Sequence, residues 1–153
     1  LPMAFAEGSP MHPSYGAGHA TVAGACVTVL KAFFDTNAQL ARKGESVCFV
    51  KPEIAERDNW QPVKIVTTDS GDTLTIEDSD EVITLEAELN KLAANISIGR
   101  NMGGVHFFSD YYDSLRMGEE IALGILKDQA ESYPYDAFTL SVKTKSKIII
   151  SNF

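Results

Sequence analysis

The sequence predicts a mainly α-helical fold, a helical bundle that also contains short β hairpins. Three segments carry this prediction, because their apolar residues recur at helical spacing or occupy nearly every side of a helix. They are residues 18–35, about 82–101 and about 109–130. A chain of 153 residues can bury a core of its own, and we expect a single domain over residues 1–153.

Residues 1–35 are expected to form an ordered loop followed by a central helix. The loop, up to residue 17, is rich in Pro, Gly, Ser and Met. The helix is apolar on nearly all sides and contains small residues, at which neighbouring helices can approach its backbone closely. Its longest apolar run, residues 20–30, is too short to cross a bilayer, so no membrane span is predicted.

Two hairpins are predicted outside the helices. Residues 60–78 alternate apolar and polar residues on either side of Ser70-Gly71, which is typical of a turn between antiparallel strands. Residues 137–150 hold two short apolar stretches that we expect to pair as a terminal hairpin. Residues 36–59 mix charged residues with turn formers, and no element is predicted there.

Residues 82–130 predict two amphipathic helices, separated at Gly103-Gly104 because paired glycines end a helix. We expect each helix to bury one apolar stripe. In the first helix the stripe is Leu85, Leu89, Leu92 and Ile96. In the second it is Tyr111, Leu115, Gly118, Ala122 and Ile125, with Ile121 beside it.

The net charge of −8 argues against a nucleic-acid partner, because phosphate backbones are bound by basic surfaces. It also means that any anion site must be built locally, against the overall field. The two cysteines, Cys26 and Cys48, lie in such different settings that no disulfide is predicted. Cys26 is expected to be a buried thiol, since its neighbours are small and apolar.

All three histidines lie in or beside glycine-rich turns. His12 and His19 begin and end the segment HPSYGAGH, and His106 follows Gly103-Gly104-Val105. Taken singly, each can be explained as a structural histidine. His19, however, falls in the first turn of the central helix, where backbone N–H groups and the helix dipole attract an anion. A histidine there can exchange protons with a bound group.

Arg100 is the cation of the predicted site. It falls on the apolar stripe of its helix, where a lone arginine is costly and needs a fixed anionic partner. That partner is either a carboxylate, such as Asp110 or Glu119, or an oxyanion gripped by two hydrogen bonds. The spacing also allows Asp110 to accept the second ring N–H of His106, which would fix the tautomer of that histidine.

The segments HPSYGAGHATVAGACVTVLKAFFD and GRNMGGVHFFSD resemble vanadium-dependent haloperoxidases, most closely bromoperoxidases of the red-algal and cyanobacterial type. These belong to the superfamily that also contains type 2 phosphatidic acid phosphatases and bacterial acid phosphatases. The resemblance runs from about Phe5 to Gln129 and is specific over the two motifs. It implies a helical bundle of the haloperoxidase and acid phosphatase type, with vanadate as the vanadium cofactor.

The resemblance also implies a role for each matching residue. His106 corresponds to the axial ligand of vanadium. Arg100 and the backbone N–H of Gly18 correspond to groups that hold the vanadate oxygens. His19 corresponds to the acid–base histidine, and His12 to a second histidine, found in bromoperoxidases, that assists the handling of peroxide or bromide.

Two departures from the family pattern matter. In the family's usual PSGH motif, serine stands where this chain has Ala17. The alanine removes one hydroxyl contact to the anion, and a hydrogen bond to a charged group contributes roughly 1.5–3 kcal/mol. The family's first signature element, a lysine and an arginine upstream, has no counterpart here. We therefore expect this chain to be the C-terminal part of a longer haloperoxidase, whose missing N-terminal part supplies those cations.

The implied reaction is the oxidation of bromide by hydrogen peroxide to hypobromous acid or an equivalent, which brominates organic acceptors. Relatives form large homo-oligomers, so a homo-oligomer is expected. One alternative is phosphomonoester hydrolysis, in which His106 forms a phosphohistidine and His19 is the general acid. The other alternative is a non-catalytic domain that serves assembly. The sequence indicates no cellular compartment.

Overall fold

The computed structural model describes residues 10–133 and the backbone of residues 139–143 and 147–151. In this part of the chain it contains four helices and two antiparallel sheets, and the helices contain more residues than the strands. The mainly α-helical fold class predicted from the sequence is confirmed. None of the helices in the described part is long and apolar enough to cross a membrane.

The elements form two compact units, Leu1–Phe34 with Leu89–Phe153, and Asp35–Glu88. Their order along the chain is α1 (Gly18–Phe33), β1 (Gln39–Lys43), β2 (Ser46–Val50), α2 (Pro52–Arg57), β3 (Gln61–Thr67), β4 (Leu74–Asp78), α3 (Leu85–Met102), α4 (Phe108–Glu131), β5 (Thr139–Lys143) and β6 (Lys147–Ser151). The single domain over residues 1–153 stays a prediction.

The unit Asp35–Glu88 is built on a four-stranded sheet with the order β2-β1-β3-β4. β3 and β4 form the hairpin predicted for residues 60–78, with Ile65 opposite Ile76. The sequence pattern does not predict β1, β2 or α2. Neither β1 nor β2 alternates buried and exposed residues regularly, so these strands lack the two-residue period by which a strand is recognised.

The predicted terminal hairpin is confirmed by the antiparallel pairing of β5 with β6. In the same unit α1 packs along α4 so closely that the two backbones touch. A Cβ atom added at Gly24 would overlap the carbonyl oxygen of Leu115, and one added at Gly118 would overlap the carbonyl oxygen of Thr21. The close approach expected from the small residues of α1 is therefore confirmed.

The buried face of α4 repeats every four residues and consists of Asp110, Ser114, Gly118, Ala122, Leu126 and Ala130. Gly118 and Ala122 belong to the predicted stripe. Ile121 and Ile125, however, are exposed, so that part of the prediction is wrong. At Gly118 the backbone of α1 leaves no room for a side chain, so a small residue occupies that point of the contact.

α3 also departs from its predicted stripe. The core cluster consists of Ala23 and Val27 of α1 and Ala93 of α3, with Leu89 and Leu115 packed against it. Ser97 is fully buried, whereas Leu92 and Ile96 are exposed, and their predicted burial is wrong. Ala93 and Ser97, which have short side chains, are therefore the residues of α3 that are buried.

The outward face of α1 is apolar and exposed in the described structure. It carries Val22, Cys26, Leu30 and Phe33. The expectation that Cys26 is buried is therefore wrong, because α1 packs against its neighbours on one side and not all round. Cys26 and Cys48 are both free thiols.

Replacing Gly118 by alanine is expected to lower the free energy of unfolding by roughly 1–3 kcal/mol, because the new methyl group forces the two backbones apart. Gly124→Ala is the matched control on the same helix. A Cβ atom there meets nothing within 4 Å, and the change should stabilise the helix by roughly 0.5–1 kcal/mol. Denaturant unfolding followed by circular dichroism measures both. Equal effects of the two substitutions would contradict the backbone contact.

Candidate functional site

The end of α3 positions the loop that carries His106. The N–H of Gly104 donates to the carbonyl of Asn101 at 2.9 Å, and the N–H of Val105 donates to the carbonyl of Arg100 at 3.1 Å. Gly104 has a φ of 75°, which glycine adopts without strain. These two bonds and this φ form a Schellman motif, so the chain turns sharply here and His106 follows the turn directly.

His106 is buried, and its Nδ1 atom lies 2.7 Å from the carbonyl oxygen of Ser14. A carbonyl oxygen only accepts hydrogen bonds, so Nδ1 carries the proton and donates it. A neutral imidazole has one N–H group, and Nε2 therefore keeps its lone pair. A histidine in this tautomer is prepared to bind a metal centre or an electrophile through Nε2.

Asp110 is the buried carboxylate at the start of α4. Its Oδ2 atom accepts the N–H of Phe107 at 3.0 Å and lies 3.6 Å from Nδ1 of His106. The pKa of the Asp110 carboxyl is lowered, chiefly because Phe107 donates to it. Hydrogen bonds from Ser14 and Ser109 and the nearby His106 ring lower that pKa further, while burial opposes the shift. The direct bond that the sequence predicts from His106 to Asp110 is made to the Ser14 carbonyl instead.

The loop before α1 is fastened to α4 at two further points. The N–H of Ala17 donates to the hydroxyl of Ser114 at 2.8 Å, and both residues are buried. The hydroxyl of Tyr15 donates to Asp113 at 3.2 Å. The charge of Asp113 raises the pKa of Tyr15, because it disfavours the phenolate. The two sequence motifs therefore meet where α1 and α4 begin.

Of the three histidines, the structure brings His12 and His106 together. Their ring centroids are 6.4 Å apart and the ring planes are tilted by 39°. His12 is exposed, and its Nδ1 atom lies 2.8 Å from the carbonyl oxygen of Pro13. His19 is also exposed and lies in the first turn of α1, as predicted.

The N-terminus of α1 offers backbone donors. Ala17 is the N-cap residue, and no side chain in the described part of the chain caps the helix. Alanine has no side-chain oxygen for this task, so the N–H groups of the first turn, beginning with Gly18, are left for water or an anion. Ala17 itself is only 1% exposed, so its methyl group points into the protein.

An apolar groove of about 510 Å³ begins at this helix end. It is lined by Gly18, His19, Val22, Ala23, Cys26 and Ile96. Arg100, which is half-buried, lies four residues beyond Ile96 in the last turn of α3. The groove therefore connects the His19 end of α1 with the helix that carries Arg100.

The donors at these positions suit an oxyanion. Backbone N–H groups at a helix start, an arginine and a histidine nitrogen are the groups that hold phosphate-like anions in proteins. Among the residues whose side chains the structure describes, no group of three or more His, Cys, Asp and Glu is placed to hold a metal ion.

Three contributors were missed by reasoning from sequence. Ser14 contributes a main-chain carbonyl, which every residue has, so no side-chain signal marks it. Ser114 looks like one more small residue in the buried face of α4. Asp113 follows the predicted Asp110 by three residues and could have been noticed as a second acidic group near the motif.

Comparison with known proteins gives a consistent result. Residues 2–133 match the family described as the VCPO second helical-bundle domain. The chain is 49% identical over 138 residues to a vanadium-dependent bromoperoxidase of Corallina officinalis and to one of Corallina pilulifera, matches that cover 90% of this chain and 20% of each relative. It is 37% identical over 133 residues to a vanadium-dependent bromoperoxidase of Ascophyllum nodosum, covering 87% of this chain and 20% of the relative. The chain thus spans about a fifth of the length of these curated relatives.

Ala17→Ser is expected to stabilise the fold by roughly 0.5–2 kcal/mol, because a serine at the N-cap can accept an N–H of the first turn. The control is Ala20→Ser. Ala20 is buried inside the first turn and is not the N-cap residue, so a serine there should not cap the helix or stabilise the protein. Denaturant unfolding of both variants, with and without orthovanadate, distinguishes a serine hydroxyl that caps the helix from one that contacts the anion. A gain that appears only with orthovanadate would show that the hydroxyl contacts the anion and not the helix.

Asp110→Asn is expected to lower the free energy of unfolding most at neutral pH. A lowered pKa in the folded state means that the carboxylate stabilises the fold above its ordinary pKa of about 4 and loses this effect as the pH falls through the folded-state pKa. The difference between the two proteins should therefore shrink as the pH drops below about 4. Denaturant unfolding at a series of pH values measures it. If the free energies of unfolding of the two proteins differed by the same amount down to strongly acidic pH, the stabilising role of the Asp110 carboxylate would be contradicted.

Proposed function

Because this chain belongs to the family of VCPO second helical-bundle domains, we propose that it forms one part of the vanadate site of a vanadium-dependent bromoperoxidase. In this proposal the protein oxidises bromide with hydrogen peroxide to hypobromous acid or an equivalent, which brominates organic acceptors. The observation that carries the proposal is the hydrogen bond from His106 to Ser14, which joins the two motifs across 92 residues of chain.

We propose the following roles for the anion-binding groups. His106 would hold the vanadium through Nε2, the nitrogen that its hydrogen bond leaves unprotonated. Arg100 and the N–H of Gly18 hold the vanadate oxygens, because both present N–H donors to an anion and Arg100 adds a full positive charge. When bound, vanadate supplies Lewis-acid activation of the peroxide.

His19 and His12 handle protons in this proposal. His19 lies beside Gly18 in the first turn of α1, and its exposed ring can exchange protons with water. The His12 ring lies 6.4 Å from the His106 ring, within reach of a group bound there through one water molecule. Histidine suits both positions, because its ring nitrogens can donate and accept protons in catalysis.

We further propose that the remaining donors to vanadate come from a part of the protein outside these residues. The curated relatives are about five times longer than the matched region. The outward face of α1 supports this proposal, since Val22 is 62% and Phe33 is 74% exposed. A bundle normally buries such residues, and a helix packed on this face would also cover the groove beside His19. The expected homo-oligomer stays a prediction.

The test is bromination of an organic dye by the longer protein that contains this chain, with and without orthovanadate. Turnover that requires vanadate, bromide and peroxide together is expected. Hydrolysis of a phosphomonoester without bromination would favour the phosphohistidine reaction, and inactivity in both assays would favour an assembly domain. The 153-residue chain alone is expected to be inactive. Bromination by it alone would overturn the proposal of donors from outside.

A pair of arginine variants tests the site itself. Arg100→Ala is expected to weaken orthovanadate binding at least about tenfold, because it removes charged hydrogen bonds to the anion. Arg116→Ala removes an arginine of α4 that lies over the Tyr112 ring, and it should leave binding unchanged. Equilibrium dialysis with orthovanadate measures both affinities. Equal affinity of the two variants would exclude Arg100 from the anion site.

A further inference from the structure

We propose that the main-chain carbonyl of Ser14 is a positioning group that selects the tautomer of His106 and so presents Nε2 to the bound anion. This inference rests on the proposed ligand role of His106. The carbonyl oxygen lies 2.7 Å from Nδ1, and the His106 side chain is only 5% exposed. With so little water around the ring, this one acceptor decides which nitrogen carries the proton.

Asp110 does not perform this task in the structure. Its Oδ2 atom is 3.6 Å from Nδ1 of His106, which is beyond hydrogen-bonding distance. The same oxygen accepts the N–H of Phe107, and Oδ1 lies 3.4 Å from the hydroxyl of Ser109. The carboxylate is therefore engaged at the start of α4. A neutral carbonyl, and not the carboxylate, receives the ring N–H.

The Ser14 carbonyl is held in place by the residues that follow it, which bond to α4. Downstream, Tyr15 is bonded to Asp113 and Ala17 to Ser114. Gly16, between them, has a φ of 90°, a conformation that lets both neighbours reach α4. An acceptor fixed in this way keeps its direction, so the His106 ring is held in one tautomer and one orientation.

The experiment weakens the acceptor without changing a side chain. Replacing Tyr15 by its α-hydroxy acid analogue converts the Ser14–Tyr15 peptide bond into an ester, whose carbonyl is a weaker acceptor. The matched control replaces Gly16 by glycolic acid, which weakens the carbonyl of Tyr15 instead. Circular dichroism first checks that both variants keep the helix content of the unmodified protein.

The first readout is the tautomer of His106, measured by nitrogen-15 NMR of the histidine rings. The chain has three histidines, so replacing His12 and His19 by glutamine in turn assigns the spectrum. We expect the proton of neutral His106 on Nδ1, and a shift of the population toward Nε2–H in the Tyr15 ester only. A proton on Nε2 in the unmodified protein, or equal shifts in both esters, would overturn the inference.

The second readout is orthovanadate affinity in the longer protein, by equilibrium dialysis. The Tyr15 ester should weaken binding about 3- to 10-fold, the effect of weakening one hydrogen bond, while the Gly16 ester should not. Equal affinities of the two esters would contradict the positioning role. Absence of vanadate binding in the unmodified protein would overturn the proposed function alone, because the NMR result reports the tautomer without vanadate.

Discussion

The contact between the backbones of α1 and α4 is the constraint on which the rest of this structure depends. It exists because Gly24 and Gly118 have no side chain at the point where the helices meet. A contact this close fixes the relative position of two helices more tightly than interlocking long side chains would. It brings Ala17, before α1, against Ser114 of α4. The starts of both helices, and with them both motifs, therefore lie together.

The proposed anion site requires local groups that act against the overall negative charge of the chain, and such groups lie at that place. The first turn of α1 presents backbone N–H groups, and the helix dipole adds positive potential there. Asp110, a buried carboxylate beside His106, is occupied by the N–H of Phe107 and by hydroxyl groups. Its charge thus stabilises the start of α4, and the neighbouring His106 is held by a neutral carbonyl.

Much of the fold followed from the sequence because helices, hairpins and glycine turns leave local patterns. The three long helices, the hairpins at residues 60–78 and 137–150, and the helix end at Gly103-Gly104 were all predicted in this way. The strands and the short helix within residues 36–59 were missed, since they are too short and too irregularly buried to show a period.

The candidate site residues could be chosen from sequence alone, because histidines, an arginine and glycines in two motifs are chemically distinctive. The three-dimensional packing was needed to show which residues of each helix are buried, since the backbone of α1 meets Gly118 while Ile125 of the same predicted stripe is exposed. It alone also decided that His106 donates to Ser14 and not to Asp110. The physical reason is that a main-chain carbonyl is the same in every residue, so its part in a site depends entirely on where the fold places it.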